Sequence, residues 1–342
     1  MPIVHSHCFA GSSSNRSGIN RLRIWTCCPC RFAHAARAWL LHGTSATPKD
    51  GESFAEAYEK ASGFAEFVPV WGRPTPFYIW HGSCRAVGQN ICGTIYTRQR
   101  HVSAGTHELH WHQRDSSCTT RNVGATLANP AWRNAYKEAA IDVVRAARPF
   151  YLSLGNEVNR WYEKYGANAS DPNGFQNYVS LYSEIYDAVK ELSPQTNVFC
   201  TFVREVVAEN READLSALNL FEPSKMDVLI FISYSYALPG IDRPDDIPDD
   251  YYARILDYMP GKPFGLSEFA WAALEEFGGE QAQVDFVFEV AGRLTAGQGI
   301  NLEFLGWPWL AALDEEDPVA LIKRNGMERL AFAAWQTLFS SA

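Results

Sequence analysis

The chain has 342 residues, 46% of them hydrophobic, and its 39 acidic side chains outnumber 30 basic ones to leave a net charge of −9. That much apolar material suits one large core. The acidic balance offers no footprint for nucleic acid, and no apolar run approaches the eighteen or so residues a membrane span needs.

The charge is unevenly spread. Residues 1–48 hold five Arg and no Asp, Glu or Lys, and residues 79–121 hold five Arg against only Glu108 and Asp115. All nine His precede residue 113, and of eight Cys only Cys200 lies beyond residue 118. Cys27-Cys28-Pro29-Cys30, with His5, His7 and His34 nearby, invites a zinc reading, but the second ligand pair is missing, the next Cys being Cys84. No metal or other cofactor is expected. The apolar patch Ala38-Trp39-Leu40-Leu41 is too short for the core of a signal peptide. The expectation is therefore a chain whose residues 1–48 stay outside the fold, disordered or not native to it, with one catalytic domain over 49–342. A shifted reading frame over 1–48 and 79–121 accounts for both composition changes, and translating the gene in its other frames tests that.

Phe54, Ala57, Tyr58 and Ala61 recur at helical spacing, with acids in the first turn and Gly63 as a stop. Phe64 to Val70 reads as a strand running into a loop that carries Arg73. Residues 79–121 specify the next helix and strand poorly, and His107 to His112 fit neither pattern. From Asn129 regularity returns. Asn129-Pro130 pairs a capping side chain with proline at the first helical position, and Trp132, Tyr136, Ala139, Ala140, Val143, Val144 and Ala147 make an apolar stripe.

This helix leads into Phe150-Tyr151-Leu152-Ser153-Leu154, a short apolar strand that stops at Gly155 and is followed at once by Asn156 and Glu157. A helix over 175–192 follows, then strands over 197–203, 227–236, 263–267 and 301–306, with helices over 249–258, 279–296 and 318–339. Strand alternating with helix implies a parallel sheet wrapped by helices. The strand at 263–267 also meets a carboxylate, in Ser267-Glu268-Phe269-Ala270-Trp271. In such folds the C-terminal strand ends carry the site.

Strand-Asn-Glu followed about a hundred residues later by strand-Glu resembles the clan of retaining glycoside hydrolases built on a (β/α)8 TIM barrel. Gly155-Asn156-Glu157 and Ser267-Glu268-Phe269-Ala270-Trp271 look most like the arabinogalactan endo-β-1,4-galactanases. The resemblance covers roughly residues 150–342, with a fragment at 49–78. It implies Glu157 as acid/base, Glu268 as nucleophile, Asn156 on a sugar 2-hydroxyl and Arg73 as support for the nucleophile. It also implies a carbohydrate substrate and an extracellular or periplasmic location.

The chemistry requires one carboxyl protonated and one ionised. Burial is expected to raise the pKa of Glu157, and donors such as Arg73 and Tyr234 to keep Glu268 ionised. Trp161, Tyr234, Tyr236, Trp271, Trp307 and Trp309 all fall at or just after strand ends, where aromatic faces would pack on sugar C–H surfaces or simply fill core. Glu303, inside the last strand, is a rival carboxylate; Glu205 and Asp227 read as loop or strand-edge charges. A non-catalytic carbohydrate-binding barrel, an inactive fragment of such an enzyme and a metal-dependent barrel hydrolase remain as alternatives.

Overall fold

The computed structural model describes residues 41–65, 67–72, 104–107, 126–295 and 299–337, all within one unit spanning residues 38–342. Arg73 and the Cys27-Cys28-Pro29-Cys30 stretch lie outside the described residues.

The strands are β1 (Leu41–Thr44), β2 (Val70–Gly72), β3 (Ala104–His107), β4 (Tyr151–Ser153), β5 (Asn197–Phe199) and β6 (Thr201–Val203), followed by a two-residue hairpin, β7 (Glu205–Val206) and β8 (Arg211–Glu212). Three longer strands complete the set: β9 (Leu229–Ser233), β10 (Phe264–Phe269) and β11 (Leu302–Trp307). They form two parallel sheets, β1-β11-β10-β9-β6 and β2-β3-β4-β5. β5 and β6 are one extended run interrupted at Cys200, so it belongs to both sheets. On the other side a parallel bridge joins Gly43 to Phe67, just ahead of β2. The eight barrel positions thus follow one another in cyclic order, the arrangement of the (β/α)8 barrel.

Gly43 is required at that seam. A Cβ there would sit 2.3 Å from the Phe67 carbonyl oxygen and 2.7 Å from its ring. β1 pairs with β11 over all four of its residues. The domain boundary expected at residue 48 therefore falls inside the barrel, and β3 likewise lies within the segment set apart by composition.

The lumen is filled. Tyr151 of β4 and Phe304 of β11 are not neighbours in either sheet, yet their rings are 5.3 Å apart, and Phe67, Phe199, Val228 and Ile230 join the same buried cluster. A larger cluster lies between the strands and the surrounding helices, including Leu152, Val198, Phe231, Leu266 and Leu305. Alternate strand residues thus face inward and outward, as parallel barrel strands buried on both faces require.

The helices are α1 (Phe54–Ser62), α2 (Pro130–Ala147), α3 (Val158–Tyr165), α4 (Phe175–Leu192), α5 (Gly279–Thr295) and α6 (Leu330–Thr337). Asn129 Oδ1 accepts from the amides of Ala131 and Trp132 at 2.9 and 3.4 Å, so the cap expected for α2 is present. Ser53 and Glu56 make a reciprocal capping box on α1.

Two expected helices are not formed as such. Residues 249–258 make only a short 3-10 helix, Ala253–Tyr258. Most of 318–329 is not helical: Ile322 bridges both Ala311 and Glu328, and Gly326 at φ 87° turns the chain before α6 begins. Among the described residues no helix is long and apolar enough to cross a membrane.

Candidate active site

Glu268 lies within β10, one residue after a register shift against β9, and pairs with Ile232. The expected strand stopped at Ser267; the ladder continues through the carboxylate to Phe269. Continuing the strand draws Glu268 into the barrel mouth, where it is only 6% exposed. Tyr234, the first residue past β9, donates its phenolic O–H to Glu268 Oε2.

Burial pushes the Glu268 carboxyl up to about 7; the Tyr234 hydrogen bond opposes this, and the charge of Glu157 adds to it. This corrects the expected order of effects. Tyr234 acts with the anticipated sign, but desolvation outweighs it, because a charge removed from water loses more than one hydroxyl returns. The phenol of Tyr234 is itself pushed well above its ordinary value by burial and by Glu268, so it stays a donor.

On the facing side, β4 ends at Ser153, but its ladder with the β5–β6 run carries on: the Leu154 amide donates to Phe199 and the Thr201 amide to Gly155, at 2.8 and 2.9 Å. Gly155 has no room for a side chain, since a Cβ would lie 2.5 Å from the Tyr178 hydroxyl and 2.6 Å from Val158 Cγ1. Glu157 then caps α3 in the left-handed region, φ 49° and ψ 40°, an uncommon conformation for a residue with a long side chain.

Thr201 holds this corner. Its hydroxyl accepts from the Glu157 amide at 3.0 Å and donates to Asn156 Oδ1 at 2.5 Å. With Oδ1 engaged, Asn156 keeps its NH2 group for a ligand hydroxyl. Thr201 was not anticipated. The signal was present, since it is the one polar side chain among the interior residues of Asn197-Val198-Phe199-Cys200-Thr201-Phe202-Val203.

Glu157 follows the end of β4, Tyr234 the end of β9, and Glu268 lies near the end of β10, so these parallel strands carry all three to the same end of the barrel. Among the described residues no three His, Cys, Asp or Glu side chains gather as metal ligands.

The expected aromatic rim divides. Trp271 and Trp307 are fully buried; their indole N–H groups donate to the carbonyls of Phe277 and Val319 at 2.9 and 3.0 Å. They are core, and neither offers a face to a sugar. Trp161, Tyr234, Tyr236 and Trp309 are half-buried. Trp161 stacks on Tyr165 with ring centroids 4.7 Å apart and donates to the Asn173 carbonyl, while Tyr236 lies 6.1 Å from Tyr234.

The rival carboxylates also separate. Glu303 accepts from Tyr151, the first residue of β4, which places it at the N-terminal end of the strands, away from the mouth. Asp227 pairs with Lys190 at 2.7 Å beside the start of β5, where it accepts from the Val198 amide. Glu205, read as a loop or strand-edge charge, does begin a short edge strand, but it is not a solvated charge. It is wholly buried and accepts from Ser233, the Tyr234 amide and Tyr251.

This barrel is similar to those of several solved structures. They include a GH5_18 protein from Streptomyces cattleya in complex with Manβ1-4GlcNAc, with 12% identity, TM-score 0.62, and 87% of this chain and 80% of that one covered. Native xylanase 10B from Thermotoga maritima has 12% identity and TM-score 0.60, with 89% of this chain and 96% of that one covered. A GH5_18 from Bifidobacterium longum subsp. infantis has 12% identity and TM-score 0.64, over 88% of this chain and 79% of that one. At such identities the likeness establishes the TIM-barrel fold. No protein-family model and no curated protein matches the chain.

Proposed function

We propose that the protein is a retaining glycoside hydrolase acting on β-linked polysaccharide or oligosaccharide, with Glu157 as acid/base and Glu268 as nucleophile. The observation that supports this is that two Glu residues stand at the C-terminal ends of β4 and β10, one buried and bonded to a tyrosine, the other in the left-handed region at a helix start. Supporting it, the solved structures with this barrel include a xylanase and a GH5_18 protein holding Manβ1-4GlcNAc.

Glu157, protonated, gives its proton to the glycosidic oxygen as the Glu268 carboxylate attacks the anomeric carbon. The leaving sugar departs as an alcohol and a glycosyl ester remains on Glu268. Glu157, now ionised, takes a proton from water as that water attacks the same carbon, and Glu268 leaves as carboxylate. Two inversions give net retention. Asn156 binds the sugar 2-hydroxyl, a contact that strengthens as the oxocarbenium-like transition state forms. Arg73 is proposed to support Glu268, as the resemblance implies. Trp161, Tyr236 and Trp309 are proposed as the aromatic contacts of the groove, with Trp271 and Trp307 as the packing behind it.

The motifs around the two Glu residues make β-1,4-galactan the first substrate to test, followed by β-glucan, mannan and xylan. Proton NMR of the initial product should show the β-anomer. Glu157→Gln and Glu268→Gln should each lower hydrolysis by at least about a thousandfold. Undiminished hydrolysis in either variant removes that residue from the mechanism, and an initial α-anomer removes double displacement.

A further inference from the structure

Glu205 is wholly buried, and nothing in the two-carboxylate chemistry uses it. It begins β7, immediately after Arg204, and is tied to the last residue of β9 and the segment that follows it. Its Oε2 accepts the Tyr234 backbone N–H at 2.7 Å, and its Oε1 accepts the Ser233 hydroxyl at 2.9 Å and the Tyr251 hydroxyl. Ser233 in turn lies 3.4 Å from the Tyr252 hydroxyl.

The countercharge comes from Arg204, which stacks over the Tyr251 ring at 4.5 Å and bonds Glu212 at 2.8 Å across the β7–β8 hairpin. The charged and titratable groups facing Glu205 are therefore Arg204, Tyr251 and Tyr252, with Tyr236 feeling its charge. A carboxylate costs several kcal/mol to bury unless its lone pairs are filled. Here the donors that fill them include the amide of the very residue that touches the nucleophile.

We propose that Glu205 is a positioning residue for the nucleophile, fixing the backbone of Tyr234 so that its phenol meets Glu268. This rests on the reading of Glu268 as nucleophile. The chain of contacts is continuous, from the Glu205 carboxylate to the Tyr234 amide and from the Tyr234 phenol to Glu268 Oε2. Register adds a second constraint: Ser233, held by Glu205, pairs with Phe269, next to Glu268.

Two substitutions separate position from charge. Glu205→Asp keeps the charge beside Arg204 but shortens the side chain and withdraws the acceptor from the Tyr234 amide. Glu205→Gln keeps length and an acceptor but removes the charge. Two readouts apply: kcat/KM against pH on an activated aryl β-glycoside, and the titration of Glu268 by NMR with carboxyl-labelled glutamate. The second needs no turnover, so it tests the positioning role even if no glycoside is cleaved and the hydrolase reading fails.

Expected are a roughly tenfold loss in kcat/KM and an upward shift of about one pH unit in the Glu268 titration for Glu205→Asp, with Glu205→Gln within about twofold of the parent. In a Tyr234→Phe background the Glu205→Asp change should shift Glu268 no further, because the path through the phenol is already cut. The proposal is overturned if Glu205→Asp leaves Glu268 unmoved, if Glu205→Gln is the more damaging of the two, or if the Glu205→Asp shift persists in full without the Tyr234 hydroxyl.

Discussion

The phenol of Tyr234 donates to Glu268 Oε2 from the neighbouring strand end, the one hydrogen bond that carboxylate accepts among the described residues. As the proposed nucleophile Glu268 must be ionised, and burial holds its carboxyl up at about 7 against the pull of this bond. Removing the hydroxyl in Tyr234→Phe therefore raises the pKa further. The acid limb of kcat/KM should sit near pH 7 in the parent and move to higher pH in the variant, with a loss of ~10- to 100-fold at pH 6. A pH–rate series on both proteins checks it; an acid limb that stays put would detach Tyr234 from the ionisation of Glu268.

Thr201 serves Asn156 and Glu157 at once, and the residue is 1% exposed. Thr201→Val keeps the shape but leaves the Glu157 amide without its acceptor and Asn156 Oδ1 without its donor. Stability should fall by about 1–3 kcal/mol, as for a buried polar group left unpaired. A Thr201→Ser variant, which retains the hydroxyl, should recover most of both stability and kcat. Urea unfolding alongside steady-state kinetics measures the two effects.

The local features were the legible ones. Asn129-Pro130 and the stripe behind it gave the start of α2, and α4 runs from Phe175 to Leu192 as its spacing predicts, because both depend on residues a few positions apart. The reach of β10 through Glu268 was not readable, since it depends on the partner β9. Nor was the direction in which Trp271 and Trp307 point: a strand-end position does not say which face a side chain takes, and one residue of register reverses it. Glu205 was readable as a loop or strand-edge charge but not as a buried one, because its partners, Ser233, Tyr234 and Tyr251, lie 28 to 46 residues further along. Residues 318–329 misled through the apolar run Val319 to Ile322, although Asn325-Gly326 already marked a turn.

Glu157 sits at φ 49°, a left-handed conformation that costs stability in a residue with a long side chain and that its proposed acid/base role would account for. Asn tolerates the left-handed region better than Glu because its short amide can bond locally. Glu157→Asn should therefore keep or raise stability, by up to about 1 kcal/mol, while abolishing hydrolysis. Removing the charge also removes one of the influences that raise Glu268, so the Glu268 titration should move down. Thermal unfolding and labelled-carboxyl NMR on the same variant test both parts.

Glu205 and Glu268 are each wholly or almost wholly buried, and burial pushes each carboxyl to about 7. A carboxyl whose pKa is higher folded than unfolded binds more protons in the folded state between the two values. Its contribution is then fully present below the unfolded value and is lost as pH rises through the folded one. Stability should therefore decline between about pH 4.5 and 7, by up to about 3 kcal/mol for each of the two groups, and level off above. The carboxylates held low by their partners work the other way: Glu163 by Arg211, Asp214 and Arg160, and Glu280 by Lys323, Leu330 and Arg329, so acid below pH 4.5 also destabilises. Urea unfolding across pH 4 to 9 should show a maximum on the acid side of neutrality. Glu205→Gln should flatten its alkaline slope, and an unchanged slope would show that Glu205 titrates alike in the folded and unfolded chain.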